Sequence, residues 1–196
     1  MKKRLVCLGD SNTFGYDPRG YLGGRYPADV RWTGRLSASG FWDVINAGEN
    51  GREIPRREVE LRQVDALLSK CVGLDVLVVL LGTNDLLMDP ACAPAARMEA
   101  FLRRTLAHPA MQNVPALLIA PPPLRAGAWV TDAALPARSA QLAPAYQATA
   151  RTVGAAFADA GAWDIPVCFD GVHFTQTGHR RFAQRLEPIL CRLTAP

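Results

Sequence analysis

Ser11 is the first residue of the chain that could do chemistry, because it follows an apolar run directly and lies between two glycines. Residues 4–8 are mostly apolar, and residues 9–15 then read Gly-Asp-Ser-Asn-Thr-Phe-Gly. A strand that passes through such a turn into a helix presents the serine hydroxyl and its backbone N–H above the sheet. The turn could therefore hold a nucleophile, bind a phosphate, or use Ser11 or Asn12 as a helix N-cap.

A serine nucleophile needs a base, and the chain has three histidines. His173 lies three residues after Asp170, in a loop with a glycine between them, so the carboxylate can accept the imidazole Nδ1–H. This bond would leave Nε2 free to serve a serine; a structural hydrogen bond within the loop is the alternative. His108, which precedes a proline, is predicted to be a surface residue, and His179 is predicted to cap the last helix or lie on the surface.

Acyl transfer also requires hydrogen-bond donors for an oxyanion. Asn84 follows the third apolar run and carries a side-chain N–H₂, although its context also fits an Asx turn. Gly51 offers a backbone N–H without a Cβ in the way, and an ordinary turn glycine is the alternative. With the backbone N–H of Ser11, the chain contains a nucleophile, a base, an orienting acid and three donors.

The elements that must position these residues alternate between strand and helix. Apolar runs typical of buried parallel strands lie at residues 5–8, 43–47, 75–81 and 116–120, with a weaker fifth at 163–167. Helical periodicity covers residues 56–70, 95–106, 143–160 and 178–193. The alternation predicts a single α/β domain over residues 1–196, with a parallel sheet between layers of helices. Ligands bind beyond the carboxyl ends of such strands, where Ser11, Gly51 and Asn84 fall.

The composition argues against several other classes. The 196 residues carry a net charge of +4 with scattered pairs of arginines, so no nucleic-acid partner is expected. No segment is long enough to span a membrane and the first apolar run is too short for a signal peptide, so a cytoplasmic location is expected. Five cysteines without CxxC spacing indicate neither a disulfide framework nor a zinc site, and Cys7 and Cys191 are predicted to be buried.

Four short blocks make the sequence resemble the SGNH hydrolases, also called the GDSL esterase/lipase family, over nearly the whole chain. The blocks are Gly-Asp-Ser at residues 9–11, Asn-Ala-Gly-Glu-Asn-Gly at 46–51, Gly-Thr-Asn-Asp at 82–85 and Asp-Gly-Val-His at 170–173. The resemblance implies a three-layer α/β/α sandwich with a parallel, about five-stranded sheet of the flavodoxin-like kind. It makes Ser11 the nucleophile, His173 the base and Asp170 the acid that orients the base.

The resemblance also implies an oxyanion hole built from the Ser11 backbone N–H, the Gly51 backbone N–H and the Asn84 side chain. Gly51 is preferred over Gly48 because it stands five residues after the first residue of its block, as in the family pattern. One departure from that pattern is Asn12, because the family usually has leucine after the serine. This departure leaves the acyl-chain preference open.

A narrower resemblance over residues 25–36 is to the arylesterase/acyltransferase branch, whose members act on short acyl esters and often form oligomers. The same run contains an acid and two arginines just before a helix that is predicted to begin near Trp32. These residues could therefore form an Asp29–arginine ion pair or contact the substrate. Trp32, Trp129 and Phe174 are candidates either for the walls of a small acyl pocket or for the core.

The sequence therefore predicts a serine esterase that hydrolyses, or transfers, short acyl groups from small soluble esters without a metal or organic cofactor. Carbohydrate O-deacetylation and hydrolysis of lysophospholipids or thioesters are alternatives within the family, and assembly into a homo-oligomer is left open. Outside the enzymes, the alternatives are a flavodoxin-like module that binds a flavin or nucleotide and a relative that no longer turns over. The binding module is disfavoured because the chain has neither a Walker motif nor a Gly-x-Gly-x-x-Gly turn.

Overall fold

The structure is a computed structural model that describes residues 2–20 and 24–195. Its main sheet has five parallel strands, namely β1 (Lys3–Gly9), β4 (Trp42–Gly48), β5 (Leu74–Leu80), β6 (Ala116–Ala120) and β7 (Ala156–Asp159). The short strands β2 (Tyr16–Asp17) and β3 (Gly24–Arg25) pair with each other in antiparallel fashion. The order β4-β1-β5-β6-β7 places the second strand of the main sheet at one edge, as in flavodoxin-like folds.

The helices connect these strands and cover both faces of the sheet. They are α1 (Ser11–Phe14), α2 (Trp32–Ala38), α3 (Glu58–Lys70), α4 (Thr83–Met88), α5 (Pro94–Leu106), α6 (Leu135–Ala140), α7 (Leu142–Val153) and α8 (Gln176–Leu193). Within the described part of the chain, none of them combines the length and the apolar character that crossing a bilayer requires.

Two apolar clusters pack on opposite faces of the sheet because successive strand residues point to opposite sides. In β1, Val6 and Leu8 belong to the cluster that includes buried residues of α3, α5 and α7. Leu5 and Cys7 belong to the other cluster, with buried residues of α2 and α8. The predicted three-layer α/β/α sandwich is thereby confirmed.

The fifth strand is the element that the sequence interpretation placed wrongly. The predicted helix at 143–160 ends at Val153, because Gly154 takes the left-handed conformation with φ +74° and caps the helix. The chain then forms β7, which pairs with β6, in an alanine-rich segment that resembled helix. The predicted strand at 163–167 begins at the end of a 3₁₀ turn (Ala160–Trp163), and Asp164 there has φ +50°. Only Val167 of that segment forms a bridge, with Phe174.

The carboxyl ends of the central strands lie level with one another. In the sheet register, Gly9 at the end of β1 pairs with Gly48 at the end of β4 and with Leu80 at the end of β5. The turns that follow these three strands therefore begin at one edge of the sheet, as predicted for the residues that could do chemistry.

Candidate active site

The turn after β1 holds Ser11 at the first position of α1. Asp10, rather than Ser11 or Asn12, is the N-cap, and its carboxylate accepts the Asn12 backbone N–H at 2.9 Å. Gly9 is required because a Cβ at this position would overlap the side chain of Thr13. Burial raises the pKa of Asp10 to about 6, although the Asn12 N–H and the charge of His173 act in the opposite direction.

Ser11, His173 and Asp170 form a continuous series of short contacts. Ser11 Oγ lies 2.9 Å from His173 Nε2, and His173 Nδ1 lies 2.6 Å from Asp170 Oδ2. The other oxygen of Asp170 accepts the backbone N–H groups of Val172 at 2.9 Å and His173 at 3.0 Å. With its proton on Nδ1 toward the carboxylate, the imidazole presents an unprotonated Nε2 to the serine hydroxyl.

Asp170 is suited to remain ionised in this arrangement. Burial by itself would raise the pKa of its carboxyl group. The hydrogen bonds from the His173 ring and from the backbone lower this pKa by more than burial raises it. The net result is a pKa of Asp170 below its ordinary value, although the residue has no exposed surface.

Gly51 and Asn84 line the same cavity as Ser11 and His173. Gly51 has φ +74°, a conformation that favours glycine, and Asn84 Nδ2 donates to the Arg52 carbonyl at 3.0 Å. The backbone N–H of Gly48, the competing glycine, is already bonded to Asn46 Oδ1 at 2.9 Å inside β4. The Gly48 N–H therefore has a partner inside the fold, and Gly51 is the glycine of the two that lines the cavity.

Asp85, which sequence reasoning did not single out, ties the Gly51 segment to α4. Its Oδ2 accepts the Ile54 N–H at 2.9 Å, and its Oδ1 pairs with Arg97 at 2.9 Å. The carboxylate is completely buried, so both oxygens need these partners. The position of Asp85 directly after Asn84 could have drawn attention to it. Its role could not be recognised from the sequence, because its partners Ile54 and Arg97 lie 31 and 12 residues away.

The cavity has a volume of about 520 Å³ and a largely apolar lining. The rings of Tyr16 and Trp129 flank His173, with centroids 4.6 and 5.0 Å from the imidazole. Trp129 is half exposed, and Met88 also lines the cavity while being largely exposed. Sequence reasoning missed Tyr16 and Met88, because nothing in their local sequence indicates that they face Ser11.

Of the three aromatic residues predicted for the acyl pocket or the core, only Trp129 lines the cavity. Trp32 and Phe174 are buried in the core, where both pack against Phe182. Asp29 is exposed, and no ion pair joins it to an arginine of the residues that the structure describes.

The prediction for His179 was wrong, because this histidine lies inside α8 with no exposed surface. Its Nδ1 accepts the Trp32 backbone N–H at 3.4 Å, and burial lowers its pKa to about 3. His108 is half-buried and caps a 3₁₀ turn by accepting the Ala110 N–H. Cys7 is buried as predicted, but Cys191 is exposed on α8.

Residues that could bind a metal ion are not grouped in the part of the chain that the structure describes. No cluster of three or more His, Cys, Asp or Glu side chains within residues 2–20 and 24–195 has a suitable arrangement.

The sheet order, the helical layers and the serine at the carboxyl end of β1 define the SGNH hydrolase fold. The family model of the GDSL-like lipase/acylhydrolases matches residues 7–181, and the chain belongs to this family. A comparison with curated protein sequences found no match.

Solved structures with similar folds include several esterases. The native aryl esterase of M. smegmatis is 27% identical, with a TM-score of 0.86 over 97% of this chain and 99% of the other. A carbohydrate acetylesterase family member from Sinorhizobium meliloti is 28% identical, with a TM-score of 0.82 over 98% and 99%. The carbohydrate acetylesterase Est24 from the same organism, at 24% identity and a TM-score of 0.86 over 98% and 100%, shares the fold.

Membership of this family makes the protein a carboxylic ester hydrolase, a serine esterase of the SGNH type. The alternative of a flavodoxin-like module that binds a flavin or nucleotide is not supported, since the family model and the similar structures are those of esterases.

Proposed function

We propose that the protein hydrolyses short acyl groups from small esters, with Ser11 as nucleophile, His173 as general base and Asp170 as the acid that orients the base. The observation that supports this proposal most directly is the series of contacts from Ser11 Oγ to His173 Nε2 and from His173 Nδ1 to Asp170 Oδ2. Each of the two distances is within hydrogen-bonding range, and Ser11 lines the cavity.

In the proposed mechanism, His173 Nε2 takes the proton of the Ser11 hydroxyl while Oγ attacks the ester carbonyl carbon. The carbonyl oxygen becomes an oxyanion, which then collapses as the bond to the alcohol oxygen breaks and that oxygen takes the proton from Nε2. Water, activated by the same histidine, attacks the acyl-enzyme and releases the carboxylic acid and the free serine. An alcohol in place of water would give acyl transfer.

The oxyanion hole in this proposal consists of the backbone N–H groups of Ser11 and Gly51 and the side chain of Asn84. All three residues line one cavity, and the Asn84 amide is held by the Arg52 carbonyl. Since Asn84 Nδ2 has a second hydrogen, it can bond to Arg52 and to an oxyanion at the same time.

A short acyl group is supported by the size of the cavity and by the relatives. The volume of about 520 Å³ must hold both the acyl group and the alcohol portion of an ester. Similar structures are named as an aryl esterase and as carbohydrate acetylesterases, and acetate is the shortest common acyl group.

Deacetylation of a carbohydrate is the second candidate function. His173 returns its proton to the departing alcohol, so the alcohol portion of the substrate must lie near this ring. Tyr16 and Trp129 flank the ring and offer faces on which the apolar side of a sugar or an aromatic alcohol could stack. A structure named as a carbohydrate acetylesterase family member is 28% identical to this chain.

The direct test is hydrolysis of p-nitrophenyl esters from acetate to palmitate by the wild type, Ser11→Ala and His173→Ala. We expect acetate and butyrate to be the best substrates and both variants to lose about 10⁴-fold or more in kcat. Ser69→Ala and His108→Ala are matched controls, because this second serine–histidine pair, 3.2 Å apart, lies outside the cavity. Acetylated monosaccharides measured beside the aryl esters would identify the preferred alcohol.

Two results would contradict the proposal. Activity retained in Ser11→Ala would remove this residue as the nucleophile. A clear preference for the C10–C16 esters would overturn the short-acyl specificity while leaving the esterase intact.

A location in the reducing cytoplasm is also part of the proposal. All five cysteines are free thiols, and disulfides are rare in proteins of that compartment. Cell fractionation with an antibody to the protein would test this, and recovery in the periplasmic or secreted fraction would contradict it.

A further inference from the structure

Asn12, the residue after Ser11, makes two hydrogen bonds to the loop that carries His173. Its side-chain Nδ2 donates to the Val172 carbonyl at 3.2 Å, and its Oδ1 accepts the Phe174 backbone N–H at 2.9 Å. Val172 and Phe174 are the two neighbours of His173 in the chain. The Asn12 carboxamide therefore bonds to the backbone on both sides of the histidine.

These bonds complete the hydrogen bonding of a buried loop. The Asp170 carboxylate accepts the N–H groups of Val172 and His173, and the His173 carbonyl accepts the Cys168 N–H at 2.7 Å. The Val172 carbonyl and the Phe174 N–H then remain, and Asn12 satisfies both. Since Val172 and Phe174 are almost completely buried, water is a poor substitute partner.

Asn12 is itself fixed to the nucleophile turn. Its backbone N–H bonds to the Asp10 carboxylate at 2.9 Å, and its carbonyl accepts the indole N–H of Trp32 at 3.0 Å. Asn12 as a whole residue is 5% exposed, and Trp32 is completely buried. Among the described residues, three hydrogen bonds join the turn at residues 10–15 to the loop at 170–175, and Asn12 makes two of them.

We infer that Asn12 is a positioning residue, which holds the His173 backbone at the distance from Ser11 that proton transfer requires. The inference rests on the proposed roles of Ser11 and His173. Leucine has a similar size but can make neither bond. Without them, the one hydrogen bond left between residues 10–15 and 170–175 of the described chain is the Ser11–His173 contact itself, which changes during the reaction.

The test replaces Asn12 by leucine and measures p-nitrophenyl acetate hydrolysis per intact active site. Active sites are counted with a p-nitrophenyl alkylphosphonate, whose phosphorus is attacked by Ser11 Oγ with release of one p-nitrophenolate per site. We expect kcat per site to fall about 100-fold while KM changes by less than about threefold, since a small displacement of a catalytic group affects the chemical step. The rate of phosphonylation should fall by a similar factor.

A purely structural role of Asn12 would give a different result, namely fewer labelled sites and a lower urea midpoint with wild-type kcat per site. Asn12→Ala is measured in parallel, because the smaller side chain cannot overfill the site if leucine prevents folding. Thr149→Val is the control, because it removes the hydrogen bond that the buried Thr149 hydroxyl of α7 donates to the Ala95 carbonyl of α5. It should keep wild-type kcat.

Two outcomes would overturn the inference, and they are distinguishable. If Ser11→Ala is inactive but both Asn12 variants keep kcat per site within about twofold of wild type, the positioning role alone fails. If Ser11→Ala retains activity, the proposed function fails and the positioning role fails with it.

Discussion

Asp170→Asn replaces a carboxylate that accepts three N–H groups by an amide with only one accepting oxygen. One oxygen of Asp170 receives the backbone N–H groups of Val172 and His173, and the other faces His173 Nδ1 at 2.6 Å. The amide oxygen will keep the two backbone donors, because the alternative orientation leaves both of them facing an N–H₂ group. The amide nitrogen then lies against Nδ1 and donates to it.

This reversal fixes the wrong tautomer of the imidazole. With Nδ1 accepting, the proton of neutral His173 sits on Nε2, which faces Ser11 Oγ at 2.9 Å and cannot take its proton. A serine hydrolase with this substitution at its own triad loses about 10⁴-fold in kcat, which corresponds to about 5 kcal/mol in activation free energy. We expect a loss of the same order here, with little change in KM.

The assay is steady-state hydrolysis of p-nitrophenyl acetate, with folding checked by circular dichroism and urea denaturation. Asp159→Asn is the matched control, because Asp159 also accepts a backbone N–H two residues ahead, from Gly161 at 2.8 Å, and does not line the cavity. The control should keep its activity. If folded Asp170→Asn keeps more than about a tenth of wild-type kcat, the tautomer argument is refuted.

Two further predictions concern the oxyanion hole and acid stability. Asn84→Ala should lower kcat about 10²–10³-fold with a small change in KM in the same assay, and a kcat above a third of wild type would remove Asn84 from the oxyanion hole. His179 has a pKa of about 3 in the folded protein against about 6.5 unfolded, so the unfolded chain binds the extra proton between these values. Its contribution should lower the free energy of unfolding by about 1.4 kcal/mol per pH unit as the pH falls from 6.5 toward 3. Asp10, whose pKa is raised to about 6, increases the free energy of unfolding as the pH falls below 6 and so opposes the effect of His179. The contribution of His179 is therefore measured by urea denaturation of the wild type and His179→Asn at pH 7 and pH 5. The variant should lose less stability on acidification, and equal losses would contradict the prediction.

The residues proposed for catalysis were accessible to sequence analysis because each follows a strand or lies close to its partner. Ser11, Gly51 and Asn84 come just after β1, β4 and β5, and parallel strands end at one edge of a sheet. Asp170 and His173 are three residues apart, so a tight turn alone can bring the carboxylate to the imidazole. Short sequence distances and strand ends can both be recognised without coordinates.

Features that depend on long-range contacts were not accessible in this way. The two bonds of Asn12 cross 160 and 162 residues, and the bond between Trp32 and His179 crosses 147. Burial of His179 depends on α2 packing beside α8, and nothing in its local sequence indicates this. The fifth strand was misplaced for a related reason, since pairing with β6 overrode the helical character of an alanine-rich segment.

The sequence by itself thus determined the class of fold, the serine esterase family and the residues proposed for catalysis, because these follow from strand patterns and short motifs. The tertiary structure decided which aromatic rings surround His173, that His179 is buried, and how Asn12 holds the loop, because each depends on side chains that are distant in sequence and meet only when the sheet and helices pack.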